Sequence, residues 1–254
     1  MNRFRLAPLV LFFALPAVSQ DKGKSKDGPP KPLYALKLAA DPGKTTRLTL
    51  RGMRLDTATE VRVGEPKSSG KVVGKGRKVG LPNQQVTAEV VGDSELDVEV
   101  TLPAEVPGGV VPVTVVGPGG ESAPMTVLVN DDTPRVAETE PNDGFKQAMP
   151  VALPQVVEAS VRQNQDVDVY RLDVKAGDRL RIEVQARRAG SPVSPLLTLY
   201  DADYRTVATG EAADGDPALR WAATKDGTYF VSVQEGNDHG GAMFAYRLVV
   251  RAEK

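Results

Sequence analysis

Six oxygen-bearing side chains fall into two short runs with matching spacing. Glu138, Glu140 and Asn142 alternate along the first run, with Asp143 beside them, and Asp166 and Asp168 repeat the i, i+2 spacing in the second. Alternate residues of an extended chain point to one side, so each run gathers its oxygens. Calcium accepts six to eight hard oxygens, several of them anionic, in flexible geometry. The spacing therefore predicts a Ca2+ site at Glu138, Glu140, Asn142, Asp143, Asp166 and Asp168, provided the fold joins the two runs. The competing expectation is a metal-free turn, in which Asn142 and Asp143 bond local backbone amides. No twelve-residue Asp-rich loop with its glycine occurs, so the site is not an EF-hand.

Other chemistry is sparse. There is no cysteine, which excludes disulfides, thiolate metal sites and thiol nucleophiles. The single histidine, His239, sits in the glycine-flanked stretch Glu235-Gly236-Asn237-Asp238-His239-Gly240-Gly241, as expected of a solvated loop. A catalytic triad needs a nucleophile beside an oriented base. Ser191, Ser194 and Ser232 share this half of the chain, but nothing marks one as activated, and no G-x-S-x-G elbow occurs. The expectation is a protein that is not an enzyme. Lys67, Lys71, Lys75, Arg77 and Lys78 form a basic stretch, read as a solvated hairpin or as a contact for an anionic surface. With a net charge of −1 and no aromatic residue in that stretch, no nucleic-acid partner is expected.

The elements that must position these groups are strands. Twenty-four glycines and 20 prolines among 254 residues favour a turn-rich β chain over a helical bundle. Period-two alternation recurs at Leu48/Leu50, Val61/Val63, Val86/Ala88/Val90, Leu96–Leu102, Val111–Val115 and Met125–Val129. It resumes at Tyr170–Val174, Leu180–Val184, Leu197/Leu199, Tyr229–Val233 and Tyr246–Val250. The fold class expected is all-β, with two β-sandwich domains. The first, residues 33–130, is immunoglobulin-like with about seven strands, and the second, residues 136–254, is an eight-stranded sandwich of jelly-roll type. Residues 130–136 form a polar hinge around Asn130-Asp131-Asp132-Thr133-Pro134. Trp221, in phase with Leu219 and Ala223, is expected in the core.

Residues 1–19 carry Arg3 and Arg5, an apolar run from Leu6 to Ala17 and small residues at Ala17-Val18-Ser19, the pattern of a secretory signal peptide. Residues 20–32 are dominated by Lys, Asp, Gly and Pro, as expected of a disordered linker. No later run reaches the length of a membrane span. The expected location is periplasmic or extracellular.

Two resemblances sharpen this reading. Gly52-Met53-Arg54-Leu55, Thr59–Gly64 and Gly109–Val115 followed by Gly119-Gly120-Glu121-Ser122 resemble a TIG/IPT-type immunoglobulin-like domain. The ordered series Glu138–Asp143, Asp166–Leu172, Ala176–Leu180, Leu197–Asp201, Gly227–Val233 and Tyr246–Val250 resembles the bacterial pre-peptidase C-terminal (PPC) domain. That resemblance implies a non-catalytic accessory sandwich on an exported protein, often beside a protease or another hydrolase. It also implies that calcium, where relatives bind it, is held at the six positions above. The function expected is binding, adhesion or scaffolding at the cell envelope, with a cell-surface protein or glycan as partner. The alternative is a carbohydrate-binding module or an accessory part of a secreted hydrolase.

Overall fold

The computed structural model describes residues 28–82, 84–213 and 215–253. The expected signal peptide, and the expected linker up to residue 27, lie outside the described residues. No helix among the described residues is long and apolar enough to cross a membrane.

Among the described residues the first half forms ten strands: β1 Lys31–Leu36, β2 Ala39–Ala40, β3 Thr45–Met53, β4 Glu60–Val63, β5 Ser69–Val72, β6 Arg77–Lys78, β7 Ser94–Thr101, β8 Gly109–Gly117, β9 Gly120–Glu121 and β10 Met125–Val129. One sheet runs β1-β3-β7-β5 with β6 also on β7, and the other runs β2-β10-β8-β4 with β9 on β8. Leu48, Leu50, Leu96, Val98, Val100, Val111, Val113, Val115 and Val127 fill the space between them. β1 takes in Lys31 and Pro32, and Pro32 is tolerated because β1 is a sheet edge with a bulge after it.

Val86, Ala88 and Val90 do not form the expected strand. Ala88–Val91 is a single helical turn, α1, which starts after an extended Thr87 and stops at Gly92, φ +75°. The carbonyl of Val91 accepts bonds from the Tyr34 hydroxyl (3.0 Å) and the buried Arg51 Nε (2.9 Å), and these tertiary partners outweigh the strand propensity. Val91 is buried as a result, while Val90 is exposed.

The basic stretch folds onto an acidic strand. Lys71 faces Glu99 across the ladder, and Arg77 pairs with Glu95 (2.5 Å) and Asp97 (3.3 Å). Lys78 pairs with Asp93 (3.0 Å) and Lys67 with Glu105 (3.2 Å). Much of its charge is thus matched within the sandwich.

Among the described residues the second half carries eleven strands: β11 Arg135–Ala137, β12 Met149–Pro150, β13 Gln155–Ser160, β14 Val167–Val174, β15 Arg179–Gln185, β16 Pro195–Tyr200, β17 Thr206–Thr209, β18 Glu211–Ala213, β19 Asp216–Ala222, β20 Gly227–Glu235 and β21 Ala245–Ala252. A six-stranded sheet runs β11-β13-β21-β15-β19-β18, and a five-stranded sheet runs β12-β14-β20-β16-β17. The strand count exceeds the expected eight because short edge strands flank the long alternating ones. Trp221 is partly buried, packed on the core against Tyr229 with ring centroids 4.5 Å apart.

The halves touch. Val86 and Val91 join the apolar cluster of the second sandwich, and Leu38, Ala39, Leu128 and Ala189 form a small cluster between the two. Gly190, φ +78°, lies so close to β1 that a Cβ there would stand 2.1 Å from the Leu33 carbonyl oxygen.

Candidate metal centre

The segment from Glu138 to Ala148 crosses from one sheet of the second sandwich to the other. Its start extends the parallel pairing of β11 with β13, through Glu138 N–H to Glu158 O (2.9 Å). Further on, Val169 N–H on β14 donates to Asn142 O (2.9 Å), and β12 then pairs with β14. The acidic segment is therefore stitched to both sheets at one end of the sandwich.

On β14 the residues in phase with the core are Asp168, Tyr170, Leu172 and Val174, all buried. Only the first is a carboxylic acid, and it lies at the end of the strand that meets the acidic segment. Donor oxygens of Glu138, Glu140 and Asp168 come within 4.8 Å of one another. Asn142, fully buried, joins them by donating from Nδ2 to Glu138 Oε1 (3.2 Å). Glu140 Oε2 accepts from Asn142 N–H (3.0 Å). The other two residues form a neighbouring pair: Asp166 accepts from Arg162 N–H (2.6 Å) and lies against the exposed Asp143. Four of the six expected ligands thus share one centre, and Asp143 and Asp166 stand beside it.

Two tyrosines complete the centre. The Tyr170 hydroxyl donates to Glu138 Oε1 (2.6 Å), and the Tyr246 hydroxyl contacts both Tyr170 (2.6 Å) and Asp168 Oδ2 (2.5 Å). Alternation alone marks both as core residues. The signal for a polar role is the i, i+2 pairing of an inward acid, Asp168, with an inward tyrosine, Tyr170. Arg162, with about half its side chain exposed, is the cation nearest the centre, 3.3 Å from Glu140 and 4.0 Å from Glu138.

The electrostatics follow from crowding. Burial, then the Glu138 charge, pushes the Asp168 carboxyl up to about 8. Burial raises Glu138 and Asp166 as well, and lifts both tyrosines well above the ordinary phenol value. Among the described residues, Asp168 Oδ1 and Asn142 Oδ1 are buried acceptors without a hydrogen-bond partner. Native structures rarely leave such groups unsatisfied. A hard cation suits this donor set: anionic oxygens, an amide oxygen and two idle acceptors around one point.

His239, Ser191 and Ser194 line a common cleft with Glu235 and Asn237, but the hydroxyls are engaged elsewhere. Ser191 Oγ donates to Ala245 O (2.5 Å), and Ser194 Oγ accepts from Arg187 Nη1 (2.9 Å).

Residues 166–235 match the family model of the bacterial pre-peptidase C-terminal domain, so the second sandwich carries such a domain. The match takes in Asp166 and Asp168, and the acidic segment 138–143 precedes it. Over 102 residues the chain is 33% identical to a probable subtilase-type serine protease of Deinococcus radiodurans, covering 39% of this chain and 14% of that protein. The chain therefore spans only a small part of the length of that curated relative. The pre-peptidase C-terminal domain of a Bacillus anthracis collagenase is similar at 20% identity, covering 45% of this chain and all of the other, with a TM-score of 0.36. A periplasmic inhibitor of g-type lysozyme from Aeromonas hydrophila is similar at 15% identity, covering 49% of this chain and all of the other, with a TM-score of 0.32.

Proposed function

We propose that this chain is an exported, non-catalytic accessory protein that binds or scaffolds a cell-surface protein or glycan at the cell envelope. Its second sandwich is held together by Ca2+ at Glu138, Glu140, Asn142 and Asp168, with Asp166 and Asp143 at the rim. The observation that carries the calcium reading is the pair of buried, partnerless acceptors, Asp168 Oδ1 and Asn142 Oδ1, among clustered carboxylates. The ion supplies cross-linking, not reaction chemistry: it ties the segment that bridges the two sheets to β14. The accessory reading is supported by the pre-peptidase C-terminal match and by serine hydroxyls engaged away from His239. Isothermal calorimetry with Ca2+ tests the ion, with one saturable site expected and an absence of heat overturning the reading.

A second reading, carbohydrate binding, draws on an aromatic cluster. Phe145 stacks on Tyr204 with centroids 4.3 Å apart, Tyr200 and Phe230 sit edge-on to Phe145, and Tyr204 is half exposed. Aromatic faces stack on sugar rings, but Phe145 already occupies one face of Tyr204. Retention on immobilised glycans that is lost in Tyr204→Ala supports this reading, and equal retention of both proteins removes it.

A further inference from the structure

The outer face of the six-stranded sheet presents a buried cation with no carboxylate in ion-pair contact among the described residues. Along β21, Tyr246, Leu248 and Val250 face the core, whereas Arg247, Val249 and Arg251 face outward, towards the first sandwich. Arg247 is only 6% exposed. Its donors reach two neutral amides, Gln185 Oε1 (3.1 Å, from Nη1) and Asn130 Oδ1 (2.7 Å, from Nη2). Among the described residues no carboxylate stands within ion-pair distance of it. Burial presses its guanidinium below the ordinary arginine value; Glu158, directly opposite it on β13, and Asp131 act against that beyond ion-pair distance, opposed by Arg135 and Arg251.

Buried charges are normally paired, because the desolvation cost is otherwise uncompensated. Arg247 Nε is also a buried donor without a partner, and so is Arg251 Nε. Both arginines line the same cleft of about 380 Å3, which the first sandwich also lines at Gly108, Gly109 and Val110 and the linking segment at Asp131. Asp131 is engaged by Arg251 (2.5 Å) and by Thr133 N–H (3.0 Å). Arg188, the third arginine lining the cleft, is paired with Asp216 (2.7 Å) and lies 3.7 Å from Glu183. Of the three, Arg247 is the one without an ion pair, with Glu158 opposite it only at longer range.

We propose that this cleft is a binding site for an oxyanion, a carboxylate or phosphoryl group, held by Arg247 and Arg251 between the two sandwiches. The planar guanidinium fork matches both groups, donating to two oxygens side by side. The volume suits a small ligand or a single group projecting from a larger one, not a folded surface. Since one wall comes from each half, occupancy draws the two sandwiches together. Arg247 also borders the neighbouring cleft that holds Glu138 and Glu158, but the oxyanion site uses none of the calcium ligands.

The test is a titration of the full chain with sodium acetate and, separately, inorganic phosphate. Ionic strength is held constant with chloride, and the arginine Nε–Hε signals are followed by NMR. The Arg247 and Arg251 signals are expected to shift and saturate. Saturation by acetate alone identifies a carboxylate site, and saturation by phosphate alone a phosphoryl site. Saturation by both identifies a general oxyanion site. Arg251→Gln changes a partly exposed residue, so the fold survives, and it should weaken binding roughly ten-fold, the loss of one charge-assisted hydrogen bond. Arg220→Gln, an exposed arginine outside the cleft, should leave binding unchanged. No saturable shift with either anion, or equal affinity in wild type and Arg251→Gln, overturns the proposal.

Discussion

The hydroxyl oxygens of Tyr170 and Tyr246 lie 2.6 Å apart, in the middle of a chain that runs Glu138, Tyr170, Tyr246, Asp168. Three oxygen–oxygen links need three protons, and two phenols supply two. The third belongs to a carboxyl group, and Asp168, pushed up to about 8 by burial and by Glu138, is the one that retains it. In the metal-free centre, Asp168 donates to Tyr246, Tyr246 to Tyr170, and Tyr170 to Glu138.

This predicts an inverted pH dependence. In the unfolded chain Asp168 ionises near 4, but in the folded metal-free protein it stays protonated to about 8. Between those values the folded state binds more protons, so stability falls as pH rises, by about 1.4 kcal/mol per unit for one proton. Glu138, Glu140, Asp166 and the exposed Arg162 surround this group, and raised carboxyls at Glu138 and Asp166 act in the same direction. Urea denaturation in chelator should show stability declining from pH 5 to 8. A rise over that range would mean that the carboxylates are ionised and paired.

Calcium should reverse this trend. Binding only to the folded state adds about 2.7 kcal/mol at a hundredfold excess over Kd. For a chain of this size that is a rise of several degrees in Tm. Chelator should abolish the gain and magnesium should reproduce it poorly, because it gives up its water reluctantly. Asp168→Asn imitates the protonated acid, so in chelator it should melt close to wild type while losing most of the calcium response. A Tm indifferent to both calcium and chelator would leave the segment an ordinary polar turn.

Removing either phenol should be costly. Tyr246→Phe strips Asp168 Oδ2 of its partner, and Tyr170→Phe breaks two links of the chain. A buried polar group left unsatisfied costs about 1–3 kcal/mol, so each variant should lose that much in denaturant titration without calcium. Losses under about 0.5 kcal/mol would show the chain to be energetically idle.

The first sandwich has its own test at Arg51, which is 3% exposed. It bonds the carbonyls of Val91, Gly80 and Gly92 and pairs with Glu95 at 2.7 Å. Arg51→Met should destabilise the chain by about 3 kcal/mol, since breaking a buried pair strands its partner. The helical turn α1 should become the most readily exchanging backbone nearby, as read by amide hydrogen exchange. Unchanged exchange at Val91 and Gly92 would refute the role assigned to Arg51.

Alternation made most long strands legible, because Leu48, Val98, Leu172, Ile182, Val231 and Leu248 all repeat with period two and all face a core. It failed at Val86–Val90, where the same spacing produced a helical turn held by Tyr34 and Arg51 from distant strands. In the acidic segment, spacing placed Glu138 and Glu140 together, but not Asp143, which the turn after Pro141 carries to the rim. The tyrosine chain was hidden because it depends on Tyr246 and Tyr170 facing one another between two sheets, a matter of register and not of local pattern. Arg247 was hidden for the same reason: an outward arginine on a strand reads as solvated until a second sandwich covers it.

The close approach of Gly190 to the Leu33 carbonyl also governs how far apart the two sandwiches can stand. The pair meets backbone to backbone, with no side chain at that point to act as a cushion. A single methyl group inserted there works as a wedge at the fulcrum of a lever. A small displacement at the join becomes a larger sweep at the ends of the two sandwiches remote from it. Gly190→Ala, read by distances between spin labels on the two halves, therefore tunes the spacing of two surfaces rather than the chemistry of either.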